Sequence, residues 1–281
     1  MGTYVRPTSL VDALECRAAG AEILAGGTDF WPMRVGRPTY ASPTATILDL
    51  SALSNLRAIS AADATLRLGA LATWTDLANA SLPPALNALQ MAAREIGGRQ
   101  IQNRGTIGGN LCNASPAADG VPPLLILDAS VELSSAAGKR VVPLIQFLTG
   151  PRRTMLRAHE LLTAVLIPMP SAAARSHFIK LGARKYQLIS IVMGAAVLEV
   201  REGVIAKAAI AIGACAPVAR RLTALEQHLV GAPAEDLGRR VMPDHLRDLA
   251  PIDDIRADAA YRRDTALVIV RRLLSTLVGG A

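Results

Sequence analysis

The chain has 281 residues, 51% of them apolar and only 19% charged, a balance that excludes a disordered polymer, which needs low hydropathy and high net charge. Its formal charge of +7 comes mostly from arginines scattered singly among Ala and Leu, and aromatics make up 3%, so neither the basic stripe nor the stacking platform of a nucleic-acid binder is present. Cys16, Cys112 and Cys215 stand far apart with no C-x-x-C spacing, which excludes a disulfide framework and a cluster held by this chain alone. The thiols point to a reducing, cytoplasmic compartment. The N-terminus shows no basic leader, and the apolar stretches fall short of the ~18 residues of a membrane span. A chain of this length predicts two domains.

In chain order, Pro7 to Gly27 reads as a small βαβ unit. Thr8 or Ser9 can cap a helix carrying Leu10, Ala13 and Leu14 on one face, with Gly20 placed for a left-handed turn at its end. Ala21 to Ala25 follows as a short buried strand running into Gly26 and Gly27. Thr46 to Leu50 is a further strand, and the alternation from Leu56 to Leu71 predicts two more. Pro83 and Pro84 open a helix through Leu86, Leu89 and Ala93 to about Ile96, which Gly97 and Gly98 end. From Arg99 to Pro116 neither period is visible, so this Gly- and Asn-rich stretch is expected to be a long irregular loop, and such loops are commonly functional.

Pro122 to Leu127 suits a short buried helix, Ser130 to Leu133 and Arg140 to Val142 suit paired strands, and Leu161 to Ile167 suits another. Pro168 to Ala174 is the best linker. It predicts a first domain over 1–170, with subdomains of about 1–55 and 56–170, and a second over 175–281. Phe178 to Leu181, Met193 to Val200 and Val204 to Ile212 read as an antiparallel set, followed by helices over about Ala219 to Leu229 and Ala259 to Leu277. The expected class is α+β.

Two glycine pairs draw attention. A diphosphate is held by several backbone N–H groups aimed at one place, which requires Gly where a Cβ would block approach or φ must be positive. Gly26 and Gly27 follow a strand and precede an expected helix start, so that amides and helix dipole would face one point, and Gly108 and Gly109 lie inside the irregular stretch. A plain tight turn explains either pair alone. Rossmann and P-loop signatures are both absent, which leaves a cradle made from two loops.

In the run Ile23 to Phe30 (ILAGGTDF), the run Arg104 to Leu111 (RGTIGGNL) and its continuation from Ala114 to Asp119 (ASPAAD), the chain resembles the FAD-binding medium subunits of molybdenum hydroxylases, the group of xanthine dehydrogenase, carbon monoxide dehydrogenase and hydroxybenzoyl-CoA reductase. The paired occurrence at this spacing is highly specific, and weaker similarity continues through Ile179 to Lys185 and from Tyr261. The resemblance implies an FAD-binding domain of the vanillyl-alcohol-oxidase (PCMH) type with two α/β subdomains, and a C-terminal α+β domain of the carbon monoxide dehydrogenase flavoprotein type. It implies that Ile23, Leu24, Ala25, Gly26, Gly27, Thr28, Asp29 and Phe30 wrap the pyrophosphate of a non-covalently held FAD, and that Thr106, Ile107, Gly108, Gly109 and Asn110 contact it from the other side. By the same carry-over Asp119 reaches the FAD, Ile96 and Leu162 touch it, and Lys180 lies close to it. From the residues alone, Asp119 could equally accept from ribose hydroxyls or cap the helix near Pro122, and Lys180 could be a solvated strand lysine.

The resemblance further implies partners. Substrate would be hydroxylated at a molybdenum cofactor in a large subunit, and electrons would cross two [2Fe-2S] clusters in a small subunit to the FAD. From there they would leave to NAD, a quinone, oxygen or another external acceptor. A heterotrimer or a dimer of heterotrimers is expected, and no catalytic residue is required of this chain. Two departures stand out. After Arg184 and Lys185, where family members often carry an acidic residue, the chain continues Tyr186, Gln187, Leu188 and Ile189. The cysteine insertion of the hydroxybenzoyl-CoA reductase branch is missing, so no iron–sulfur centre is expected here.

His159, His177, His228 and His245 show no metal spacing, so no metal site is expected, and none precedes residue 159 to offer a histidyl-flavin link. Cys112 is better read as a small buried apolar residue than as a redox group. No nucleophile–base pair is evident, so the chemistry must come from a cofactor. Two other readings are a stand-alone FAD oxidoreductase, which would need a general base near the flavin, and an interaction subunit that has lost its flavin. The four intact glycines speak against the latter.

Overall fold

A computed structural model describes residues 3–35, 45–184 and 189–279; of the departure that follows Lys185, Tyr186, Gln187 and Leu188 lie outside them. The chain starts with β1 (Tyr4–Val5) and α1 (Leu10–Ala18). Ser9 caps α1, its hydroxyl accepting from the Asp12 N–H at 3.1 Å, and Gly20 takes the left-handed φ of +91° expected of it. Then come β2 (Glu22–Leu24) and β3 (Ile47–Asp49), which make a small parallel sheet in the order β1-β3-β2. Ala13, Leu14, Leu48 and Leu50 fill its core, joined by Leu71 and Leu161 from the next layer.

The second sheet opens with β4 (Ile59–Ala62) and β5 (Thr65–Gly69). Three helices follow: α2 (Trp74–Asn79), α3 (Asn87–Glu95) and α4 (Arg99–Arg104), and after them α5 (Ile107–Asn113) and α6 (Val121–Ile126). The chain returns through β6 (Ser130–Ser135), β7 (Gly138–Pro143), the single turn α7 (Leu144–Phe147), the small hairpin β8 (Leu148–Gly150) and β9 (Arg153–Thr154), and β10 (Leu161–Pro168). These give a five-stranded sheet, β4-β5-β10-β6-β7, with antiparallel neighbours throughout.

The stretch from Arg99 is therefore not an irregular loop. It folds as α4 and α5, too short at six and seven residues to display a 3.6-residue period, and Gly108, Gly109 and Asn110 have low helix propensity. Tertiary packing supports α5 instead: Ile107 and Leu111 are fully buried, and the Thr106 hydroxyl accepts from the Gly109 N–H at 3.1 Å. The sequence reading also passed over α2, whose Thr73 and Asp76 form a reciprocal capping box.

After Pro168 the chain changes sheet. The long strands β11 (Ala174–Leu181), β12 (Val192–Arg201) and β13 (Val204–Gly213), with the short β14 (Arg220–Arg221), form an antiparallel sheet in that order. The helix expected from Ala219 starts only at Thr223 as α8 (Thr223–Leu229), because Arg221 is drawn to the sheet edge by Glu226 and by the Leu125 carbonyl. The last helix is α9 (Ala259–Gly279).

Strand alternation divides this sheet's faces. Phe178, Ala195, Ala209 and Ala211 point towards α3 and α6 and join the main core, while Ala196, Ile210 and Ile212 pack under α8 and α9. The largest apolar core thus runs across the Pro168–Ala174 connection.

Candidate functional site

The path of the chain opens a cleft of about 370 Å³ between the small parallel sheet and the five-stranded one. The loop after β2 forms one wall. The other is formed by α5, Ala70 and Leu71 just after β5, and the start of β10. Ile23, Ala25, Gly26, Gly27, Thr28, Asp29 and Phe30 line the first wall, and Thr106, Gly108, Gly109, Asn110 and Leu162 the second, with Ile96 at the margin. Gly26 explains why the walls meet so closely: a Cβ there would lie 2.2 Å from the Arg104 carbonyl oxygen. Gly27 is required for another reason, its left-handed φ of +79°.

The backbone donors of the two walls differ. The N–H groups of Gly26, Gly27, Thr28, Asp29 and Phe30 donate to no acceptor among the described residues. They open the turn-rich segment Thr28 to Val35, in which Trp31 N–H returns to the Gly27 carbonyl and Met33 N–H to that of Asp29, so they are unpaired in the manner of a helix start. On the second wall the donors from Ile107 to Asn110 are all taken. Ile107 N–H reaches the Ala72 carbonyl at 3.0 Å, Gly108 N–H that of Ala70 at 2.9 Å, and Asn110 N–H that of Thr106 at 3.0 Å, while Gly109 N–H is held by the Thr106 hydroxyl. Contrary to the two-loop expectation, the second glycine pair presents no free amide: Gly108 is needed because α5 sits on Ala70, whose Cβ and carbonyl oxygen are 2.8 Å from a Cβ added at Gly108.

The second wall offers side chains. Among the described residues Asn110 Oδ1 is the buried side-chain polar atom with no partner, a vacancy that a native interior seldom leaves. Cys112 adds a thiol at the cleft wall. Burial pushes that thiol from its ordinary 9 up to about 12, against the opposing pull of Arg17, so at neutral pH it is a protonated apolar contact.

Four residues expected at the site lie outside the cleft lining. Leu24 and Ile107 are buried beneath it. Asp119 and Lys180 pair with each other instead, Lys180 Nζ standing 2.6 Å from Asp119 Oδ2 and Ser190 Oγ donating to Asp119 Oδ1. Asp119 therefore has both oxygens engaged, and it does not cap α6, which has no side-chain cap. Nor is Lys180 a solvated strand lysine: its side chain is 8% exposed, and it also donates to the Glu95 carbonyl, next to Ile96. Burial raises the carboxyl pKa values of both Asp119 and Glu95, with Lys180 opposing the rise in each.

Sequence reasoning missed Arg34, Trp74 and Asn113 in the lining. Trp74 was legible in principle, since the Thr73 and Asp76 capping signal starts its helix. No His, Cys, Asp or Glu group among the described residues is arranged to hold a metal, and none of their helices is long and apolar enough to cross a membrane.

The open amides, the orphaned Asn110 oxygen and the apolar margin of Ile96, Ile101 and Leu162 suit an anionic ligand with a large apolar part. Residues 1–170 match the family described as the FAD binding domain in molybdopterin dehydrogenase, and residues 177–277 match the CO dehydrogenase flavoprotein C-terminal domain. The protein is thus a flavin-binding chain. It is 33% identical to the xanthine dehydrogenase FAD-binding subunit of Escherichia coli O157:H7, over 99% of this chain and 97% of that one. It is also 33% identical to the nicotinate dehydrogenase FAD-subunit of Eubacterium barkeri, over 92% and 90%. A chain of reconstituted CO dehydrogenase from Oligotropha carboxidovorans superposes with a TM-score of 0.92 at 27% identity, covering 100% of this chain and 99% of that one. The chain belongs to the FAD-binding subunits of the molybdenum hydroxylase family, and its cofactor is FAD.

Proposed function

We propose that this chain carries electrons between an iron–sulfur partner subunit and an external acceptor through FAD held in the cleft. The observation that carries the reading is the run of N–H groups from Gly26 to Phe30 without an acceptor among the described residues, across the cleft from a second wall that supplies shape and the Asn110 side chain. In this reading the first loop binds the diphosphate, Asn110 meets a polar group of the cofactor, and Ile96, Ile101 and Leu162 exclude water beside it. Bound FAD would supply the electron exchange.

The chain's own residues bind and orient. Asp29 and Arg34 are the charged residues of the lining, and neither is arranged with a partner as a general acid–base pair, in keeping with substrate oxidation in another subunit. The expected assembly is a heterotrimer, single or paired, with a large subunit holding a molybdenum cofactor and a small one holding [2Fe-2S] clusters, in the cytoplasm. A stopped-flow experiment tests this. The purified chain, loaded with FAD, is mixed without oxygen with the chemically reduced iron–sulfur subunit, and its flavin absorption should bleach only when that subunit is present. A chain that takes up no FAD, or whose flavin stays oxidised beside the reduced partner, would exclude the proposal.

A further inference from the structure

Arg34 reaches the cleft from the far end of the first loop, and nothing in the sequence motif calls for it. Its guanidinium carbon lies 3.5 Å from the centroid of the Phe30 ring, one Nη donates to the Phe30 carbonyl at 3.0 Å, and the other pairs with the carboxylate of Glu22 on β2. The group is thus fixed on three sides, at the residue that ends the run of open N–H groups. A guanidinium has five N–H donors. Two are used among the described residues, which leaves three for a ligand.

Charge bears on the matter as well. A diphosphate brings two negative charges, and amide dipoles offset them only in part. Among the described residues lining the cleft, Arg34 is the cation, and Asp29 is the anion, exposed on the same loop. The pairing with Glu22, whose side chain is 40% exposed, contributes little to folding in water, so stability alone does not account for an arginine stacked and tethered in this way.

We propose that Arg34 binds the diphosphate of the dinucleotide, that Glu22 and Phe30 position it, and that the cleft thereby distinguishes FAD from the same ring system without phosphates. The proposal rests on the reading of the cleft as the FAD site. Full-length protein freed of flavin is titrated with FAD and, separately, with riboflavin, following flavin fluorescence at low and high salt. Arg34→Gln should weaken FAD binding about 10- to 100-fold, as expected for loss of a charge-assisted contact, while riboflavin binding stays within about twofold of wild type. Arg34→Lys should recover part of the FAD affinity, because the charge returns without the fork. Glu22→Gln should fall between wild type and Arg34→Gln, and raising the salt should narrow the gap between wild type and Arg34→Gln. Equal losses for FAD and riboflavin would reduce Arg34 to a loop-shaping residue and overturn the proposal, as would unchanged FAD affinity in Arg34→Gln. Wild-type protein that binds no FAD would instead overturn the reading of the cleft itself.

Discussion

In the first glycine loop the N–H groups from Gly26 to Phe30 have no acceptor among the described residues, whereas in the second each N–H from Ile107 to Asn110 already has one. Both loops carry adjacent glycines and both line one cleft, yet the glycines answer different needs. Gly26 lets two backbones touch, Gly27 supplies a left-handed turn, and Gly108 lets a helix rest on Ala70. A glycine pair therefore marks a place where chain segments come close, and only the hydrogen-bond accounting tells whether a ligand is the third party. One loop is a donor surface, and the other is the rigid wall against which it is set.

That division can be attacked at the point of contact first. In Gly26→Ala the new methyl would meet the Arg104 carbonyl, a backbone atom that cannot turn aside, so the walls must separate at a cost of about 1–3 kcal/mol or more. This variant should lose bound FAD altogether and show the largest drop in denaturation midpoint. A flavin-to-protein ratio near that of wild type would mean that the walls need not touch.

Gly27→Ala should come next. A left-handed conformation costs a non-glycine residue about 1–2 kcal/mol, and the added carbon would stand 2.9 Å from Trp31 Cδ1, a side chain that can yield. FAD affinity should fall by about tenfold or more, because any relief of the strain turns the neighbouring amides away. Fluorescence titration measures it, and an unchanged dissociation constant would detach the open amides from binding.

Thr106→Ala probes the other wall with a smaller effect. It removes the hydroxyl that holds Gly109 N–H, which costs about 1 kcal/mol of stability as a lost helix cap. If α5 serves as a wall, FAD affinity should change only a few-fold while the thermal midpoint drops. A loss of FAD as complete as in Gly26→Ala would show that the second loop binds as directly as the first.

The sequence displayed the strand that delivers Gly26, the cap at Ser9 and the long strands after Ala174, since each has a strong local signal: a buried run ending in Gly, a Ser before an apolar helix face, or alternation over many residues. It hid α4 and α5, because helices of one or two turns complete too little of their period to be seen, and glycine inside α5 argues locally for a loop. Tertiary contacts of Ile107 and Leu111 override that preference. The two glycine pairs were legible as a site, but their inequality was not, since it depends on where the carbonyls of Ala70 and Ala72 happen to lie. The mutual engagement of Asp119, Lys180 and Ser190 joins positions 61 and 71 residues apart, a distance at which no local pattern can report a hydrogen bond. Arg34 was missed because a cation four residues after Phe30 is an ordinary feature of an exposed turn.

The smallest effect is expected at Cys112, and it separates a wall from a reactive group. With its thiol pushed up to about 12, the folded chain keeps this proton where the unfolded chain, with a cysteine pKa near ~9, begins to lose it. The stabilisation so gained is fully present below the unfolded value and is lost as pH rises through the folded one, so wild-type stability should decline from about pH 9 upward. Cys112→Ala lacks this contribution, and its denaturation midpoint should decline less over the same range. The difference should be small because Cys112 retains partial solvent exposure. At neutral pH the variant should hold as much FAD as wild type, and in the intact protein iodoacetamide should modify Cys112 far more slowly than an unperturbed thiol. Rapid alkylation at pH 7, or flavin loss in Cys112→Ala, would show that the second wall takes a chemical part that its engaged amides do not suggest.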